Sequence, residues 1–390
     1  MRMMRYLAVS IVAVLLLAVC VFADGGLECV NETPEPTGAS GGWVELVPEL
    51  GSLGLAAPVE TPSAALPQSH SLKVAFGICN GDVRVSFAAG GAFPGGKPLT
   101  FVHNSRDGRS YRCGVGRTHS YNSVLLEHPS EWHFTSARIV LPTGYRLDFD
   151  ENLDGTLRGQ PGVRSKLVRN DAGGYTLLTD DQPDMVDKGS VAYGFAEPDA
   201  GGKSLLTSVV NGGSVVTLTH IASGPAAAEV ERVRDVASGQ DAVFAYDAAG
   251  RLASVTSIDG VATSFIYNSS GDMSEAHSAW GSLTFGYDSH HNITAITDGS
   301  GGHSYAVRYG NSARGIEFRD TYGQYFDFAY TVDATDHVLM TSFGPRGQAP
   351  TVCEVCGLKL VTSCSVPGQP KVTYLHTMDK RLLAKRTVSQ

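Results

Sequence analysis

Five tyrosines recur through the second half of the chain at an almost constant interval. Tyr246, Tyr267, Tyr287, Tyr309 and Tyr330 are separated by 21, 20, 22 and 21 residues. A fixed period in this range implies one short supersecondary unit stacked on the next. Two residues before each tyrosine stand Phe244, Phe265, Phe285, Val307 and Phe328, and four before stand Ala242, Thr263, Leu283, Tyr305 and Phe326. Positions two apart share one face of a strand, so each unit should hold a strand whose inward face ends in the tyrosine.

The residues just after the tyrosine have the chemistry of a turn. Asp247-Ala-Ala-Gly250, Asn268-Ser-Ser-Gly271 and Asp288-Ser-His-His-Asn292 begin with a side chain that accepts hydrogen bonds from amides two or three residues on, and end near a residue that tolerates positive φ. A second strand comes next, with Leu252 and Val255, Met273 and Ala276, and Ile293 and Ile296 at matching offsets, and Asp259-Gly260 or Asp298-Gly299 then reverses the chain again. One unit is thus two antiparallel strands and two turns. A lone hairpin is marginal, and stacking buries its aromatic face.

The fold class expected is all-β: antiparallel hairpin repeats of about 21 residues in an extended or partly closed shell. Composition agrees, because 45 glycines exceed the roughly 27 that an average share of about 7% would give a chain of this length, as many tight turns require. Residues 71–200 show short alternating runs such as Val83-Arg-Val-Ser-Phe87 and Ala137-Arg-Ile-Val-Leu141 between turn pairs such as Asp107-Gly108 and Asp154-Gly155, an antiparallel β region. Residues 201–343 carry the repeats and 344–390 a cysteine-containing segment. Ala226–Val236 is the best helical candidate, although its valines also suit a strand.

The N-terminus points to export. Met1–Tyr6 carries Arg2 and Arg5, Leu7–Val19 is almost entirely apolar, and Val21-Phe-Ala23 has small residues where a signal peptidase reads, so residues 1–23 form a signal peptide. Retention as an anchor helix and lipid attachment at Cys20 are the competing readings. Residues 24–70, rich in Pro, Ala, Gly and Ser without sustained periodicity, read as a flexible tether. The protein should therefore be secreted or held in the cell envelope, touching membrane through the signal or anchor segment. Its formal charge of −9 becomes −11 without Arg2 and Arg5, and such a surface repels phosphate backbones, which argues against nucleic acid. Six cysteines lie beyond the signal, and 15 pairings are open to them. Cys353-x-x-Cys356 with Cys364 admits a disulfide, favoured by export, or half of a zinc ribbon.

Phe244-Ala-Tyr-Asp-Ala-Ala-Gly-Arg-Leu-Ala-Ser-Val-Thr-Ser-Ile-Asp-Gly260 resembles the YD repeat of RHS-type cell-surface proteins. The next two units resemble it more weakly. Leu205 through His220 resembles a degenerate unit with His220 near the tyrosine position, and Pro98–Ser105 and Gly114–Tyr121 resemble the lead-in of RHS proteins. The resemblance spans about residues 72–343 and implies a β-shell. In some members that shell encloses a C-terminal toxin and ends in a self-cleaving segment, and neither feature is evident after Pro345.

Candidate chemistry is sparse. Asp150-x-Asn152-x-Asp154-Gly155 reproduces the first half of a calcium loop, but Pro161 stands where the bidentate glutamate belongs. Asp180-Asp181 would need a loop to converge on one substrate, and His290-His291 lies at a repeat turn, where solvated residues are expected. No catalytic residue and no cofactor is therefore expected. The leading function is an exported, non-catalytic surface or envelope interaction protein that contacts carbohydrate or another protein. A component or remnant of a toxin-encapsulating shell and a secreted carbohydrate-active enzyme are the alternatives.

Overall fold

The computed structural model describes residues 43–47, 72–128, 136–142, 146–160, 163, 165–179, 191–279, 281–299, 304–356, 360–376 and 382–388. The signal segment, Asp180-Asp181 and Pro161 lie outside them. Among the described residues the regular structure is β-strand, apart from two three-residue 3-10 turns at Pro94–Gly96 and Asn311–Ala313. No helix of the described residues is long and apolar enough to cross a membrane.

Two sheets hold most strands of the described residues, beside a short ribbon of Ser110–Tyr111 and Gly114–Val115. The first is a five-stranded antiparallel sheet in the order Trp43–Val47, Lys73–Gly77, Val83–Ala88, Thr100–Asn104 and Arg117–His119. Its alternation is as the sequence implies: Val83, Val85 and Phe87 are buried while Arg84 and Ser86 are partly exposed. Trp43–Val47 corrects the reading of residues 24–70 as tether throughout, because its backbone pairs with Lys73–Gly77 and extends the sheet edge.

The second layer is a long antiparallel ladder that starts at Val124–Glu127. This strand pairs on one side with Ala137–Val140 and on the other with the first residues of Lys203–Asn211, whose later residues pair with Ser214–His220. The strands between them form a circuit, and those after Lys203–Asn211 run on, neighbour by neighbour, to Leu382–Val388. The ladder passes residues 200/201 and 343/344 without interruption, because Val191–Phe195 pairs with Lys203–Asn211 and Val338–Pro345 with Thr351–Val355. Val230–Asp235, inside the helical candidate, is a strand that pairs on both sides.

The repeat period is visible in the strand register. A one-residue irregularity interrupts pairing between Ala245 and Tyr246, Ile266 and Tyr267, Gly286 and Tyr287, and Arg308 and Tyr309. It recurs at Thr219/His220, which places the degenerate unit where its sequence suggests. The tyrosine therefore stands on a β-bulge, where one extra residue re-aims the side chain and increases the local twist. In the next unit the bulge falls between Thr331 and Val332, and the turn aspartate is Asp333. Tyr330 thus stands two residues before its expected place, a shift that keeps the same strand face and so escapes a parity argument. Further bulges at Glu354/Val355 and Leu375/His376 carry the period beyond Tyr330.

After each bulge the Asp or Asn makes the same turn. Asp247 Oδ1 accepts the amides of Ala249 and Arg251, Asn268 Oδ1 those of Ser270 and Asp272, and Asp288 Oδ1 those of His290 and Asn292. The second amide is four residues on rather than three. The residue at the third place has positive φ, +78° at Gly250 and +87° at Gly271, where a residue without Cβ pays no steric cost.

Two of the three C-terminal cysteines are joined. Cys353 and Cys364 face each other across Thr351–Val355 and Val361–Ser365 and form a disulfide, with Cα atoms 4.2 Å apart, while Cys356 lies partly exposed outside the bond. A zinc ribbon is excluded at this pair because both sulfurs are consumed.

The register makes a direct prediction. Phe265 is 7% exposed, whereas Ser264 is exposed on the opposite face. Phe265→Ala should destabilise the protein by about 3–5 kcal/mol, and Ser264→Ala by no more than about 0.5 kcal/mol. Urea unfolding midpoints of the two variants measure the contrast, and equal shifts would refute the register.

Candidate functional site

The site with the densest polar chemistry is the interface where the first sheet lies on the inner face of the ladder. It begins as an apolar contact. His119 packs on Phe244 with ring centroids 5.3 Å apart, Phe101 on Phe265 at 4.9 Å, Phe87 on Phe285 at 5.4 Å and Phe76 on Phe328 at 4.2 Å. The order of strands across the first sheet thus matches the order of units along the ladder. The rings two residues before each tyrosine are the ones covered, and at Phe328 the ring lies four residues before the bulged Val332. Offset and tilted aromatic pairs of this kind add about 0.5–1.5 kcal/mol each beyond the area they bury.

The tyrosines stitch one unit to the one before. Tyr246 donates its hydroxyl hydrogen to the carbonyl of Val230 at 2.9 Å, Tyr267 to Leu252 at 2.7 Å, Tyr287 to Met273 at 2.6 Å and Tyr309 to Ile293 at 3.0 Å. Each acceptor begins or lies near the start of the strand pairing in the preceding unit. Burial pushes all four phenols above their ordinary range; Tyr287 reaches about 12, where Arg117 opposes the effect of burial. They remain neutral donors. Tyr330, lacking the bulge, leaves its buried hydroxyl without a hydrogen-bond partner among the described residues.

Around the rings runs a collar of bonds between the layers. Backbone amides of Leu252, Ile258 and Gly315 donate to the carbonyls of Arg112, Ala92 and Gly81 at 2.9, 3.0 and 2.9 Å. The amide of Gly90 donates to Thr263 Oγ1 at 3.0 Å and Arg314 Nε donates to the Asn80 carbonyl at 3.2 Å. Gly315 lets the backbones meet, since a Cβ there would stand 2.3 Å from Val83 Cγ2 and 2.4 Å from Phe76 Cε1.

Arg117, His103 and Asp82 are among the ionisable groups inside this collar. Arg117, 1% exposed, donates from Nη2 to the Tyr287 hydroxyl at 3.0 Å and from Nη1 to Met273 Sδ at 3.3 Å, with its guanidinium carbon 4.2 Å from the Phe285 ring centre. A cation over an aromatic face gains about 2 kcal/mol when desolvated. His103 donates from Nε2 to the His291 carbonyl at 3.0 Å, and burial lowers its pKa to about 3, so the ring is neutral. Asp82, 1% exposed, accepts from Ser105 Oγ and the Arg106 amide, and burial raises its pKa to about 7.

At the turns of His291 and Asp336 the positive-φ place is taken by a polar residue whose side chain reaches the previous unit. His291, φ +65°, binds the Asp272 carboxylate through Nδ1 at 2.9 Å, and Asp336, φ +64°, accepts from Arg314 Nη1 at 2.7 Å. His291 stands at the turn, partly exposed, and also bridges to the previous unit. The replacement of glycine in an otherwise regular turn is the sequence signal that marks it. Of the other candidates, Asp154 spends its oxygen on the Thr156 amide and hydroxyl, Asp150 accepts from Gln160 Nε2, and Asn152 Nδ2 donates to Thr156 Oγ1. Those bonds make a hairpin turn. Among the described residues no three His, Cys, Asp or Glu converge as metal ligands.

Two substitutions test the interface. Tyr267→Phe removes the donor to Leu252 and should cost about 1–2 kcal/mol, read as a lowered urea midpoint. Gly315→Ala drives a methyl into Val83 and Phe76 and should cost about 2–4 kcal/mol, beyond the usual overpacking penalty because backbone must move. Gly323→Ala, with φ +78° and nothing within 4 Å of its added Cβ, should cost only the strain of a left-handed alanine, about 1 kcal/mol.

The same arrangement can be set beside known proteins. Residues 246–282 match the family model described as RHS Repeat. No curated protein matches the chain in sequence. Among solved structures, the chain is similar to the one titled "Crystal Structure of TcdB2-TccC3-Cdc42", at 8% identity and a TM-score of 0.32, covering 82% of this chain and 22% of that one. It is also similar to "Crystal Structure of TcdB2-TccC3-TEV", at 9% identity and a TM-score of 0.33, covering 85% and 24%. The chain spans less than a quarter of the length of either. The matched segment holds the units of Tyr246 and Tyr267, whose bulge, turn and hydroxyl staple recur along the ladder, so the chain carries RHS repeats at residues 246–282.

Proposed function

We propose that this is an exported, non-catalytic interaction protein of the cell surface or envelope, meeting carbohydrate or another protein through the outer side and turn tips of its repeats. The observation that carries the reading is the filled inner face. Rings of the first sheet cover the inward rings of units 244–328, so a partner would meet the opposite face and the turns. The turn carboxylates support a binding rather than a hydrolytic role, because those of Asp247, Asp288, Asp320 and Asp333 are each committed to backbone amides of their own turn. Membrane contact would run through the N-terminal segment, and the acidic charge disfavours nucleic acid.

Tyr322 is the residue best placed to meet a sugar ring. It is 74% exposed at the tip of the Asp320–Gly323 turn, and an exposed aromatic face with a polar edge is the usual platform for such a contact. Probing a glycan array with the purified chain lacking residues 1–23 should show selective binding that Tyr322→Ala weakens at least about tenfold, a loss of 1.4 kcal/mol. A folded chain that binds no glycan would sink the carbohydrate reading and leave a protein partner.

The period continuing past Tyr330 to the bulge at Leu375/His376 favours, as a second reading, a component or remnant of a larger RHS shell. A toxin or RHS reading frame beside the gene would support it.

A further inference from the structure

At one edge of the interface a single hydroxyl faces more acceptors than it can serve. Ser105 Oγ accepts the Val83 amide at 3.0 Å and lies 2.9 Å from Asp82 Oδ1 and 3.2 Å from the carbonyl of Ala313. Serine has one hydrogen to give. If Asp82 is ionised, its carboxylate and the Ala313 carbonyl compete for that hydrogen. If Asp82 is neutral and protonated on Oδ1, the acid donates to Ser105 Oγ and Ser105 donates to Ala313, and all three groups are satisfied. Asp82 Oδ2 is buried with no hydrogen-bond partner among the described residues, which also favours the uncharged form.

The relay ends on a part of the ladder already under constraint. Ala313 and Ser312 hold positive φ, +55° and +61°, and this turn precedes Arg314 and Gly315, both of which bond to the Asn80–Gly81 corner of the first sheet. We propose that Asp82 is a proton-operated latch: neutral, it fastens the first sheet to the 311–315 turn through Ser105, and ionised, it takes the Ser105 hydrogen for itself and releases that turn.

The surrounding charges are consistent with this. From the first sheet Arg84, Arg106 and Asp107 face the carboxyl, and from the ladder Tyr309 and Tyr330 do. The Arg106 guanidinium is directed at the carbonyls of Asn80 and Ser312, and Arg314 is held by Asp336. Burial is the largest influence on Asp82, raising its pKa from 3.8 to about 7 against the lowering effects of Arg84, Ser105 and the Arg106 amide. The docked pKa lies above the undocked one, so docking takes up a proton. The contribution is complete below about pH 4, declines as pH rises toward about 7, and is lost above it.

Hydrogen exchange of the 311–315 amides, corrected for the intrinsic rate, tests the latch. In the wild type their protection should fall about tenfold between about pH 6 and pH 8. Asp82→Asn should make it independent of pH, and Ser105→Ala should lower it at about pH 6 and leave it near the wild-type value at about pH 8. Protection that is equal at the two pH values in the wild type, that keeps its pH dependence in Asp82→Asn, or that is unaffected at about pH 6 by Ser105→Ala would overturn the proposal. Should the variants fail to fold, the carbonyl stretch of the protonated Asp82 acid, followed by isotope-edited infrared in the wild type, must titrate near about pH 7. A titration complete below about pH 5 would likewise overturn it.

Discussion

A hairpin with one apolar face has nowhere to put it, and the rest of this structure answers that constraint. The units of Tyr246, Tyr267 and Tyr287 each offer a ring two residues before the bulge and a later unit offers Phe328 four before it, and neighbouring units only line those rings up; they do not cover them. The cover is the first sheet, whose Phe76, Phe87, Phe101 and His119 lie on Phe328, Phe285, Phe265 and Phe244. Stacking of repeats and packing of two sheets are here one arrangement, because the order of strands in one layer follows the order of units in the other.

Two polar devices keep the units in step. The bulge aims the tyrosine back so that its hydroxyl meets a carbonyl of the preceding unit, and the Asp or Asn just after it closes the turn on amides two and four residues ahead. Register in a sheet is set by whichever face is buried, and a one-residue bulge at the same place in each unit resets it before an error can accumulate. Where the tyrosine is replaced, as at Val332, the aspartate still makes the turn.

The period, the inward positions and the Asp or Asn turns are legible in the sequence because they are local: parity along a strand and a side chain bonding its own backbone. The fifth unit is misplaced by two residues on the tyrosine spacing alone, because Tyr330 shares a strand face with Val332 and parity cannot separate them. The disulfide between Cys353 and Cys364 is one of several open pairings until the strands fix which cysteines stand opposite. Arg117, His103 and Asp82 are not legible as a site. Each is ordinary in its own segment and acquires meaning only from a ladder residue far downstream, such as Tyr287 or His291. Trp43–Val47 is hidden for a similar reason, since it pairs with Lys73–Gly77 across a stretch whose composition reads as linker.

The docking of the first sheet also sets the order in which the chain can fold. Its partners lie far downstream: Phe76 precedes Phe328 by about 250 residues, and His119 precedes Phe244 by about 125. Contacts of such separation close slowly, because the loop entropy is spent before any contact repays it. Each unit of the ladder, in contrast, pairs with its immediate neighbour and can form as soon as two have been made. A chain that is synthesised or exported from its N-terminus therefore presents Phe76, Phe87 and Phe101 uncovered until the units of Phe265 to Phe328 have followed. The first part of the protein to emerge is among the last to be buried, and during that interval its aromatic face is the surface most prone to aggregate.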